Sequence, residues 1–133
     1  MKVIVTGSHS ITDAAVVAKA IADSGFEITE LICGGSQQQP NSGLERIGPG
    51  YTERGGVDDI SWRWAEDNHV SAKIFPVRWK RYSHSANMVR NLEMARYADA
   101  LVAIWDGSSP GTRNMIDTMK CLGKPVFAIC HKP

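Results

Sequence analysis

Apolar residues in this chain keep two rhythms. Short runs rich in Val, Ile and other apolar residues, the pattern of strands buried on both faces, occupy residues 2–6, 28–33, 72–77, 100–105 and 125–130. Between them apolar residues recur every three or four positions. Ala14, Val17, Ala18 and Ile21 place an apolar stripe on a helix over 13–24 that Gly25 ends, and Ile60, Trp64 and Ala65 do the same over 57–68. Further helices are predicted over 85–97 and 112–122. Five strands alternating with four helices predict an α/β domain over residues 1–133, with a parallel sheet of about five strands and helices on both faces. In such sheets ligands bind beyond the carboxyl ends of the strands, where the strand order reverses. The turns at Gly7, at Gly34-Gly35 and from Gly107 to Gly111 all fall at carboxyl ends.

One stretch departs from this rhythm. Residues 36–54 are polar, carry Gln37-Gln38-Gln39, Pro40 and Pro49, and are longer than the loop that ordinarily joins a strand to a helix. They read as an insertion at the end of the second strand. There they would act as a lid over the pocket, a surface loop or a contact between copies.

Composition narrows the classes. With 133 residues, 43% of them hydrophobic, the chain suffices for one real core. A net charge of +1 with scattered basic residues excludes a general nucleic-acid surface. No apolar run is long enough for a signal peptide or a membrane span. Cys33, Cys121 and Cys130 are odd in number and form no CxxC pair, and two of them sit in apolar runs, which predicts buried free thiols in a reducing compartment. A cytoplasmic protein is expected. Histidines 9, 69, 84 and 131 have no spacing suited to a shared metal, so no zinc and no cofactor is expected.

The candidate chemistry lies at the strand ends. Gly7-Ser8 gives a sharp turn and a hydroxyl after the first strand, but neither a GxGxxG nor a GxxxxGK[ST] motif follows. The segment from Asp106 to Thr112 carries the stronger signal. Gly107 and Gly111 supply unusual backbone angles, Ser109 a hydroxyl, and Thr112 a cap or first residue for the next helix, whose free N–H groups would face an anion. Arg90, on the preceding helix, offers a planar cation able to pair bidentately with phosphate. Trp79, flanked by Arg78, Lys80 and Arg81 after the third strand, stands where a base would stack.

The order Met88-x-Arg90-Asn91-x-x-Met94, Ala98-Asp99-Ala100-Leu101-Val102-Ala103, then Gly107 to Gly111-Thr112 resembles the core of the SLOG superfamily. That group includes the LOG-type, lysine decarboxylase-like phosphoribohydrolases. Gly-Ser after the first strand, Gly34-Gly35 after the second and Trp-Asp-Gly-x-Ser-x-Gly-Thr from Trp105 resemble its YpsA-related branch more closely, across nearly the whole chain outside the insertion. Gly55-Gly56-Val57-Asp58 is similar to the segment in which a small-residue turn and an Asp open the family's second helix. The resemblance implies a Rossmann-like three-layer αβα fold and a nucleotide or nucleotide-derived small molecule as ligand. With Trp79, singled out by its own position, the residues expected around that ligand are Gly7, Ser8, Gly34, Gly35, Asp58, Arg90, Asn91, Asp106, Gly107, Ser109, Gly111 and Thr112. The resemblance also implies a homodimer or higher homo-oligomer formed through helices beside the site. Met88, Leu92, Met94 and Ala95 would serve such a contact or the core, and core packing is expected.

The departure from the hydrolase pattern matters as much. Where LOG-type enzymes carry a glutamate three residues after the Thr, this chain has Met115, whose thioether can neither take a proton nor stabilise a cationic sugar. Two readings follow. In the first, the chain binds its ligand without transforming it, as sensor, carrier or sequestering protein. In the second, it is an N-glycosidic hydrolase or transferase on nucleoside phosphates, with Asp106 replacing the missing glutamate and Arg90 as its catalytic partner.

Overall fold

The computed structural model describes residues 1–8, 11, 13–34, 56–75 and 86–131, without the side chains of residues 56, 58, 59, 74, 86 and 87. Nine elements alternate along it: β1 (Lys2–Gly7), α1 (Ala14–Ser24), β2 (Glu30–Gly34), α2 (Gly56–Asp67), β3 (Ser71–Phe75), α3 (Ala86–Tyr97), β4 (Ala100–Trp105), α4 (Pro110–Cys121) and β5 (Val126–Cys130). The five strands form one sheet in the order β3-β2-β1-β4-β5, and every pair is parallel. This is a three-layer, Rossmann-like α/β fold.

Period-two alternation sorts the strand residues onto two faces. Val3, Val5, Leu31, Cys33, Val102 and Ile104 point to the face where Val17, Ala20 and Ile21 of α1 and Val57 and Ala65 of α2 pack. Ile4, Ile32, Leu101 and Ala103 point to the other, against Met94, Ala95 and Ala98 at α3 and Met115, Ile116 and Met119 of α4. The central strands are apolar at nearly every position because both faces are covered. α1 begins where the Asp13 carboxylate accepts the Ala15 N–H at 2.9 Å, and it ends at Gly25.

Two expectations from the sequence need correction. Core packing holds for Met94 and Ala95, which are buried, but Met88 is 65% and Leu92 38% exposed. The stripe divides because Met94 and Ala95 face the sheet while positions 88 and 92 lie on the outer side of α3. All three cysteines are free, as expected, yet only Cys33 is buried; Cys121 and Cys130 are exposed. Cys33 lies in an interior strand, whereas Cys130 lies in an edge strand that the helices cover only in part. Among the described residues no helix is long and apolar enough to cross a membrane.

Candidate functional site

From β1 the sheet grows through β2 to β3, and from β4 it grows the other way to β5, so the order reverses between the neighbours β1 and β4. Their carboxyl ends are drawn tightly together. A Cβ on Gly7 would lie 1.7 Å from the Ile104 carbonyl oxygen and 2.8 Å from Val57 Cγ2, so only glycine lets β1, β4 and the start of α2 close up. Ser8 is buried; its N–H donates to the Ile104 carbonyl at 3.2 Å and its Oγ accepts the Asp106 N–H at 3.1 Å. The Ser8 hydroxyl therefore holds the loop after β4.

That loop is shaped by its first residue. One carboxylate oxygen of Asp106 accepts the Ser108 N–H at 2.9 Å, the Ser108 hydroxyl at 3.0 Å and the Ser109 N–H at 3.2 Å. The chain turns at Gly107 with φ +91°, in the left-handed region. The Ser108 N–H above all, with the hydroxyls of Ser108 and Ser8 and the Ser109 N–H, lowers the Asp106 carboxyl below the ordinary value against a smaller, opposing effect of burial. Asp106 is thus an ionised organiser of its own turn.

α4 starts two residues earlier than the sequence pattern predicts, at Pro110, with Ser109 as its cap. Proline is suited to the first helical position because its missing N–H would have no partner there. Thr112 consequently lies inside the first turn, buried, and its Oγ1 donates to the Ser109 Oγ at 3.2 Å. The Ser109 hydroxyl caps no N–H of the helix. Arg113 N–H donates to the Ser109 carbonyl at 3.1 Å, while no described residue accepts from the N–H groups of Gly111 and Thr112. Nothing lies within 4 Å of where a Gly111 Cβ would stand, so the approach to this turn is open among the described residues.

A second group assembles at the end of β2. Gly34 has no side chain, and the Arg90 guanidinium lies in the space left, with Nη1 2.6 Å and Cζ 2.9 Å from where a Cβ would be. Arg90 Nε donates to Asn91 Oδ1 at 2.9 Å and Nη1 to the Phe75 carbonyl at the end of β3 at 3.3 Å. Asn91, 8% exposed, donates from Nδ2 to Asn114 Oδ1 of α4 at 3.3 Å. The chain Arg90–Asn91–Asn114 therefore runs from the ends of β2 and β3 to the first turns of α4. Sequence reading missed Asn114. An amide two residues beyond Thr112, in a helix where Asn is a poor helix former, was the available signal.

Of the residues expected around a ligand, Gly7, Ser8, Asp106, Gly107, Ser109, Gly111 and Thr112 gather at the ends of β1 and β4, and Gly34, Arg90 and Asn91 at the end of β2. Gly35, Trp79 and the insertion 36–54 lie outside the described residues, and Asp58 is placed in the first turn of α2 by its backbone alone. Met115 is 2% exposed and packs in the core under α4, so its side chain faces the sheet and not the loop. Among the described residues no three His, Cys, Asp or Glu side chains cluster as metal ligands. Comparisons with family models, curated proteins and solved structures return no match to this chain.

Proposed function

We propose that this chain binds a nucleotide or nucleotide-derived small molecule at the carboxyl ends of its strands and acts as a sensor, carrier or sequestering protein for it. The observation that carries this reading is the guanidinium of Arg90 laid in the space Gly34 leaves and joined through Asn91 and Asn114 to α4. A planar guanidinium that is always ionised supplies the charge that a phosphate needs. The first turn of α4 adds backbone N–H donors and the positive end of a helix dipole. A sheet whose strand order reverses beside these groups is the place where such folds take ligands.

The hydrolase reading requires a carboxyl group that can give or take a proton. Asp106 suits that role poorly, because three hydrogen bonds to one oxygen keep it ionised and fixed in its turn. Met115 lies in the core and leaves no glutamate in its place. Binding without turnover is the reading these residues favour.

The test is mass spectrometry of small molecules that copurify with the chain, followed by calorimetry and base-release assays over a panel of nucleoside phosphates. Binding that falls at least about tenfold in Arg90→Gln, a loss of about 1.4 kcal/mol, with no free base formed, is the expected result. Release of free base that stops in Asp106→Asn would establish the hydrolase instead. Absence of binding by every nucleotide tried, with no copurifying ligand, would remove both readings.

A further inference from the structure

The two edges of the sheet differ. β3 forms one edge and carries the exposed Lys73, whose ammonium lies 5.2 Å from the Tyr97 ring and 5.6 Å from the Phe75 ring. A charge of this kind discourages another strand from docking. β5 forms the other edge, Val-Phe-Ala-Ile-Cys, with no charge and no proline within it. Where β4 is buried at every position but its last, Phe127 and Ile129 of β5 are only half-buried and Ala128 and Cys130 are exposed. Of the two lysines that flank the strand, Lys124 is turned away, its Nζ donating to the carbonyls of Ala95, Ala98 and Arg96 at the end of α3, and Lys132 lies outside the described residues.

The ladder with β4 fixes which backbone groups remain open. Leu101 N–H donates to the Pro125 carbonyl at 3.0 Å, and His131 N–H donates to the Trp105 carbonyl at 2.7 Å, in the register Leu101↔Val126 to Trp105↔Cys130. A strand residue sends its N–H and C=O to the same side, and successive residues alternate. Pro125, Phe127, Ile129 and His131 therefore face β4. Val126, Ala128 and Cys130 present their N–H and C=O groups to the open edge, where no strand among the described residues pairs with them.

We propose that β5 pairs antiparallel with β5 of a second copy about a two-fold axis at Ala128, joining two five-stranded sheets into one. With Ala128 opposite Ala128, Val126 of each copy stands opposite Cys130 of the other, and every outward N–H and C=O of both strands gains a partner. The same register sets Phe127 opposite Ile129 on the other face, an aromatic against a β-branched side chain, twice over. The central residue is the smallest of the strand, so the axis brings no bulky side chains together. The edge is its own complement, as a two-fold contact requires, and no charge on it selects a different strand. This interface lies away from the exposed Met88 and Leu92 of α3 and does not depend on the ligand proposed above.

Light scattering of the full chain after size exclusion, over a wide concentration range, tests the pairing. The wild type is expected at twice its 14.6 kDa, and Ala128→Pro and Ala128→Lys at half the wild-type mass. Proline at 128 removes an N–H that faces the open edge and leaves the ladder with β4 intact, so circular dichroism should be unchanged. Lysine at 128 reads the same contact by charge if the proline disturbs the strand. Ala128→Cys in a Cys130→Ser background should form a disulfide between copies on mild oxidation, since paired Cα atoms stand about 5.5 Å apart in such a ladder. A wild type of single-chain mass at every concentration, or a dimer that survives both folded variants at position 128, overturns the proposal.

Discussion

The two ends of the sheet are built on opposite principles. At the amino end polar groups close on one another. Asp99 N–H donates to the Lys2 carbonyl at 2.7 Å and the Asp99 carboxylate accepts the Lys2 N–H at 2.8 Å, fastening β4 to β1 where both begin. Tyr97 donates its hydroxyl to the Glu30 carboxylate, and the Lys2 ammonium lies 4.3 Å from the Tyr97 ring. At the carboxyl end the chain instead makes room: Gly7 admits a carbonyl, Gly34 admits a guanidinium, and the first turn of α4 keeps N–H groups that no described residue accepts. Long side chains that satisfy each other stabilise a fold, whereas space with donors around it invites a ligand. β4 joins the two, with Asp99 closing onto a neighbouring strand and Asp106 onto its own loop.

The contrast is broken most severely at Gly7. Gly7→Ala places a methyl 1.7 Å from the Ile104 carbonyl oxygen, and both are backbone, so neither can step aside. A loss of about 4 kcal/mol or more is expected, a large share of the stability of a small domain, read as a collapse of the urea midpoint. An unchanged midpoint would mean that β1 and β4 do not close as described. At the amino end the largest effect is expected from Lys124→Met, which removes an ammonium from three carbonyls at the end of α3. The site is partly exposed, so the expected cost is about 1–2 kcal/mol, with no change in nucleotide binding.

Gly34→Ala sharpens the comparison because it resembles Gly7→Ala in kind and differs in what it meets. The added methyl would stand 2.6 Å from Arg90 Nη1, the far end of a flexible side chain that can move. Stability should change by less than about 1 kcal/mol, while affinity for a nucleoside phosphate falls about tenfold, or about 1.4 kcal/mol. Calorimetry and denaturation on the same sample separate the two. If Gly34→Ala binds like wild type, the position of Arg90 over Gly34 is irrelevant to the ligand.

How far the sequence alone disclosed this follows from what is local and what is not. Strands and helices were legible because burial on two faces writes unbroken apolar runs and burial on one writes a helical stripe. The start of α4 was read two residues late although Pro110 marks it, since the periodic apolar residues begin only further on. Strand order is a long-range property, so nothing near Cys130 told that its strand lies at an edge and leaves it exposed. Nor did the spacing of Met88 and Leu92 reveal that the sheet would claim the opposite side of α3. At the site, Gly34 and Arg90 were both singled out, but that one fills the space of the other needed coordinates. Asn114 was missed because an isolated helix amide carries no motif, and its meaning depends on Asn91 reaching it from another helix.

The smallest predicted effects concern the two aspartates that flank β4. Both carboxyls lie below the ordinary value, Asp99 chiefly through the Lys2 N–H and Asp106 chiefly through the Ser108 N–H. A carboxyl lowered by folding contributes stability that is fully present above its unfolded pKa, about 3.9 for Asp, and is lost as pH falls through the lower folded value. Carbon NMR of the two side chains should therefore show both titrating below about pH 3.9. The consequences differ by end. Protonating Asp99 loosens a contact between strands, so Asp99→Asn should flatten the acid limb of the stability profile. Protonating Asp106 loosens its own turn, so it should move the amide signals of Ser108 and Ser109 and give up the stability that its lowered carboxyl contributes. An Asp106 that titrates at or above the ordinary value would show that its turn is not held by these hydrogen bonds, and would restore it as a candidate acid for the hydrolase reading.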